Sequence, residues 1–175
     1  SSCSKTNNSL PIEPTAPSVS NTSCDETSCP APIYDAGVTE NSITQGSFKY
    51  TLHKGNWSRL TPPSDDVKVM LREPTQDINV ALILSQTENS FDEYAVSVLR
   101  SFRESNVNFS TESITINDNP FIRATGLQDG ILVMVWATVK NGYGYTFVCG
   151  NEISVPDITT TRDTCVKIGD SITID

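Results

Sequence analysis

The chain has one histidine, His53, so a histidine general base or a histidine-centred catalytic triad has a single candidate. His53 ends the alternating stretch SFKYTLH and is followed by Lys54 and Gly55, the setting of a solvated turn rather than of a pocket. No serine stands in a Gly-x-Ser-x-Gly context, so nucleophilic catalysis is not expected. Hard oxygen ligands cluster at Asp25 with Glu26, at Asp65 with Asp66, and at Asn117, Asp118 and Asn119. None of these clusters has the spacing of an EF-hand, and Asp/Asn runs are ordinary turn chemistry. A carboxylate pair for glycoside hydrolysis is defined by a distance in space, and nothing in the chain singles one out. The expectation is therefore no catalytic residue, no metal and no cofactor.

Sulfur chemistry is more specific. The five cysteines are Cys3, Cys24, Cys29, Cys149 and Cys165. An odd count suggests one thiol with a separate task, and the last four can pair in three ways. Cys24–Cys29 and Cys149–Cys165 are favoured because each closes a local loop. A tetrahedral zinc site is the competing reading. Neither pair has the two-residue spacing of a zinc knuckle, and CDETSC carries two carboxylates and no cation.

Charge narrows the partners. Twenty-one acidic residues against 12 basic ones leave a net charge of −9, without a local Lys/Arg cluster to offset it. A phosphate backbone would be repelled, so nucleic-acid binding is not expected, and anionic membrane surfaces are disfavoured for the same reason. The longest apolar run, ILVMVWATV at 131–139, falls well short of the ~20 residues of a spanning helix.

The segment that opens the chain bears on location. Ser-Ser-Cys at 1–3 resembles the last three positions of a bacterial lipobox, in which the signal peptide is cut before a cysteine that then carries lipid. The resemblance implies lipid on Cys3, attachment to the membrane through it, and a place in the bacterial cell envelope, at the periplasmic face or the cell surface. Residues 1–45 then read as a Ser/Thr/Pro-rich tether, disordered or extended, too polar to offset the entropy of folding. Such a tether has a reach on the order of 35 Å. A trimmed secreted protein with Cys3 as a free or intermolecular thiol is the alternative.

From Gly46 the pattern becomes that of a folded domain, 46–175. Phe48, Tyr50 and Leu52 share one face of a half-buried strand, and VKVML and INVALILSQ are two more, separated by the turn REPTQD. Ser90 and Glu93 have capping-box spacing, and Phe91, Tyr94, Ala95, Val98, Leu99 and Phe102 recur at helical intervals after them. ESITIN, PFIRATG, ILVMVWATVK and YGYTFVCG follow, joined by the turn signals NDN, LQDG and NGYG, which predicts an antiparallel meander. ILVMVWATV is apolar on both faces and is expected to be a central strand, covered on each side. A second helix is expected over TTTRDTCVKI, with Cys165 turned towards Cys149.

This order is similar to the Mog1/PsbP-like fold, an α+β antiparallel sheet flanked by helices. The residues that carry the resemblance are KGNWSRLTPP, FDEYAVSVLRSFRES, NPFIRATG, ILVMVWATVKNGYGYTFVCG and the closing TTTRDTCVKIGDSITI, with Tyr145, Cys149 and Ser171–Ile174 at matching places. The loop NEISVPDI is longer than the pattern leads one to expect. Proteins of this type include an accessory subunit of the photosynthetic oxygen-evolving complex, a regulator of a nuclear-transport GTPase, and envelope lipoproteins. The resemblance implies binding of other proteins rather than turnover of a substrate.

Aromatic side chains are the best binding candidates. Tyr143, Tyr145 and Phe147 share a strand face, and Trp57 lies by a turn. Packed under a helix they are core; exposed, Trp57, Tyr143 and Tyr145 form a patch suited to a protein partner. The expected function is that of a non-catalytic envelope lipoprotein, an accessory or assembly subunit bound to another envelope protein or complex. The alternative is a lipoprotein that holds a small lipid or glycan ligand between sheet and helix.

Overall fold

Three two-residue turns set the shape of the molecule. Asn117–Asp118, Asp129–Gly130 and Asn141–Gly142 all have positive φ at both positions, the backbone that matches the right-handed twist of the strands they join. They connect β6 (Phe109–Ile116), β7 (Asn119–Gln128), β8 (Ile131–Lys140) and β9 (Tyr143–Gly150) into the expected meander. The computed structural model describes residues 42–52, 55–105 and 108–175.

Before the meander come β1 (Ser42–Gln45), β2 (Phe48–Thr51), β3 (Ser58–Arg59), β4 (Val67–Glu73), β5 (Ile78–Gln86) and α1 (Phe91–Ser105); after it come α2 (Thr159–Asp170) and β10 (Thr173–Ile174). Seven strands form one antiparallel sheet in the order β3-β4-β5-β9-β8-β7-β6, and β1-β2-β10 form a small second sheet. The small sheet was not expected. The strand that starts at Phe48 does not join the main sheet but pairs with β1 and, across the whole domain, with β10. The boundary expected at Gly46 falls inside this β1–β2 hairpin, so Ser42–Gln45, assigned from sequence to the tether, belong to the fold. The rest of the tether, with Cys3 and the Cys24–Cys29 pairing, lies outside the described residues.

The capping box closes as its spacing predicts: Ser90 N–H donates to Glu93 Oε2 at 2.8 Å, and Glu93 N–H donates to Ser90 Oγ at 3.2 Å. α1 then buries Tyr94, Ala95 and Phe102, and Phe102 packs with Ala124 and Val135 on one face of the sheet. On the other face the small sheet and α2 enclose the main core of Phe48, Tyr50, Leu82, Trp136, Phe147 and Ile168. β8 sends Val135 to the α1 side and Met134 and Trp136 to the other, so it is covered on both faces as expected. Cys149 on β9 and Cys165 on α2 form a fully buried disulfide that ties the second helix to the centre of the sheet.

Candidate functional site

Strand alternation does place Tyr143, Tyr145 and Phe147 on one side of β9, but the small sheet covers only part of that side. The Phe48 ring stacks on Tyr145 at 5.4 Å between centroids, and Tyr50 meets Phe147 at 4.8 Å. Tyr145 is 5% exposed, and burial pushes its phenol pKa up. Trp57, expected at an exposed turn, is 2% exposed and belongs to the same core. Both are corrected from partner surface to interior: Phe48 of the β1–β2 hairpin, which local periodicity could not place, covers Tyr145, and Trp57 packs within the same core. Tyr143 sits beyond this cover at the start of β9 and is 38% exposed.

Around Tyr143 is an open groove of about 400 Å³, lined also by Gln86, Thr87, Glu88, Asn141 and Gly142. Two strand ends build it. Thr87 N–H donates to Gly142 O at 2.9 Å, which locks the end of β5 to the β8–β9 turn, and Gln86 Nε2 reaches the Tyr143 hydroxyl at 3.5 Å. The lining offers an aromatic face, two amides, a hydroxyl and one carboxylate. Those groups suit hydrogen bonding and ring contact at a wet interface. Of the groove, only Tyr143 was a candidate from sequence; the Asn-Gly turn at 141–142 was the available signal for the rest.

Other charged groups serve the scaffold. Arg72 donates to Asp77 Oδ1 at 2.9 Å and to Asn79 Oδ1 at 2.8 Å, while Asp77 Oδ2 accepts the N–H groups of Glu152 and Ile153 at 3.1 and 2.7 Å. This network pins the 151–158 loop to the β4–β5 turn. Asn117 Nδ2 donates to Ile172 O, and Lys140 Nζ donates to both Asn119 Oδ1 and Ile174 O, so this corner of the meander is joined to residues 172–174. Asp65 and Asp66 are exposed. Among the described residues no three His, Cys, Asp or Glu side chains gather as a metal site. Likewise, among these residues no helix is long and apolar enough to cross a membrane. His53 lies outside the described residues.

No family model and no curated protein matches the chain. Solved structures do. The solution structure of cyanobacterial PsbP (CyanoP) from Synechocystis sp. matches with a TM-score of 0.57 at 14% identity, over 85% of this chain and 98% of that one. A crystal structure from Bacteroides thetaiotaomicron matches with a TM-score of 0.51 at 8% identity, over 79% of this chain and 49% of its own. At such identities the likeness is one of fold.

Proposed function

With the Mog1/PsbP-like fold as its premise, we propose that this chain is a non-catalytic accessory or assembly subunit that docks onto another protein of the bacterial envelope. The observation that carries the reading is Tyr143, a half-exposed aromatic beside an open groove, at the start of a hairpin strand. Tyrosine is a frequent anchor of interface hot spots because it buries a large ring and keeps a polar tip. An open groove suits a protein surface better than a small ligand, whose sites enclose most of it. The place expected for such a ligand, between sheet and helix, is filled by Phe102 against Ala124 and Val135 and by Tyr94 against Thr146.

The buried disulfide favours an oxidising compartment. Lipid on Cys3 would keep the domain at the membrane and raise its effective concentration near a partner there. The test is gentle detergent extraction of the native protein, with co-purifying proteins identified and the intact N-terminal mass recorded. The reading expects a stoichiometric partner, lost in Tyr143→Ala, and a diacyl or triacyl mass on Cys3. A partner retained by that variant would remove the groove from the interface. A solitary, unlipidated protein would overturn the envelope reading.

A further inference from the structure

The main sheet has two edges, and the chain treats them differently. The β3 edge is two residues long, runs on into Pro62 and Pro63, and neighbours a register shift in β4 between Val67 and Val69. A short strand, prolines and a bulge each blunt an edge against pairing. β6, at the other edge, has none of these. Its eight residues pair with β7 without a break, from Phe109 opposite Gly126 to Ile116 opposite Asn119. FSTESITI contains neither proline nor lysine, and among the described residues no strand pairs with its outer side. Its one charge, Glu112, is drawn back over its own sheet by Arg123, whose Nε donates to Oε1 at 2.8 Å.

Ser110, Thr111, Glu112 and Ser113 are all exposed, so the sheet has water on both faces here. A strand added at this edge must be polar and strand-prone on both sides. β6 itself has that composition. We infer that β6 is a self-association edge: two copies pair β6 with β6, antiparallel about a two-fold axis, and join their seven-stranded sheets into one. The contact is isologous, so it closes at two copies and leaves the joined main sheet with only its blunted β3 edges. A register centred on Glu112 would set like charges directly opposite. Centring on Thr111 or Ser113 instead places Glu112 across from Ser110 or Ile114 of the second copy. The net charge of −9 per copy opposes association, so the dimer strengthens as salt screens it. This inference is independent of the proposed docking groove, none of whose lining residues lies on β6.

The test is sedimentation velocity of the full chain from low micromolar to several hundred micromolar, at low and high salt. A dimer that grows with concentration and with salt is expected. Thr111→Lys with Ser113→Lys, both exposed, should abolish it while the far-ultraviolet circular dichroism stays unchanged. The same two charges placed at Ser97 and Ser101, exposed on the outer face of α1, should leave it intact. A monomer at every concentration overturns the inference, including the case in which residues 1–41 of the same chain occupy the edge. A dimer that survives the β6 lysines, or that is lost equally in both variants, overturns it as well.

Discussion

The hydroxyls of Tyr94 on α1 and Thr146 on β9 lie 2.7 Å apart, buried, across 52 residues of chain. The pair fixes the first helix to the centre of the sheet, and the glycine beside it makes the approach feasible. A methyl group on Gly144 would come within 2.2 Å of the Tyr94 ring. Burial pushes the Tyr94 phenol pKa up, and its hydrogen bonds to Thr146 and Ser85 offset only part of that rise. Gly144→Ala should therefore displace the ring and cost about 1–3 kcal/mol by overpacking. Tyr94→Phe leaves the Thr146 hydroxyl without this partner, at about 1–2 kcal/mol. Urea denaturation should show both losses. A neutral Gly144→Ala would mean that α1 can lift off the sheet without penalty.

The disulfide supplies a second prediction. Cys149 and Cys165 are 16 residues apart, and closing a loop near that length stabilises a domain by about 3 kcal/mol in the chain-entropy picture. The bond encloses the 151–158 loop and half of α2. A Cys149→Ala/Cys165→Ala variant should lose stability of that order, with faster hydrogen exchange in α2 and unchanged protection in α1. Equal loosening of both helices would show that the bond acts on the whole core and not on its own loop.

Glu73 should make the domain's stability sensitive to acid. Its carboxylate is fully buried at the end of β4, where Thr75 Oγ1 donates to both oxygens at 2.6 and 2.7 Å. Asn56 N–H and Gln76 N–H add bonds of 3.0 and 2.6 Å. Burial pushes the pKa up, but the bonds from Thr75, Asn56 and Gln76 together outweigh it and hold the group below its ordinary 4.5. A folded-state pKa below the unfolded one adds stability that is present above about pH 4.5 and is lost as pH falls through the folded value. In Glu73→Gln an amide N–H₂ faces backbone donors, which should cost about 1–3 kcal/mol at neutral pH. The gap between wild type and variant should narrow on acidification. A gap that stays constant down to low pH would show that Glu73 does not titrate with folding.

Much of this fold was legible because its signals are local. The Ser90–Glu93 box, the turns with positive φ at 117–118, 129–130 and 141–142, and the apolar run of β8 are each written within a few neighbouring residues. The second sheet was not, because its pairings span the chain: Thr173 opposes Lys49, and Thr51 N–H donates to Ser171 Oγ at 2.7 Å. Periodicity says which residues share a face, but not where a distant hairpin stops covering it. That is why Tyr143 and Tyr145, two residues apart on one side of β9, have opposite fates. Trp57 sits in the irregular stretch before β3, where no alternation exists to assign it a side. Glu73 has the look of a solvated charge at a strand end, and its burial, with the bond from Asn56 17 residues away, emerges only in the fold.

Those opposite fates separate stability from binding in one experiment. Trp57→Ala removes a buried indole and should cost about 3–5 kcal/mol, with Tyr145→Ala also strongly destabilising because Phe48 loses its stacking partner. Tyr143→Ala touches only the groove and should leave stability within about 0.5 kcal/mol of wild type. The partner captured by the native protein should nonetheless be lost in that variant, because truncating an anchor ring removes more binding than folding energy. Thermal unfolding and co-purification on the same three variants give the comparison. If Tyr143→Ala unfolds the domain as the other two do, the ring is part of the core and the groove is not a docking surface. If it folds normally and still retains the partner, docking takes place elsewhere on the molecule.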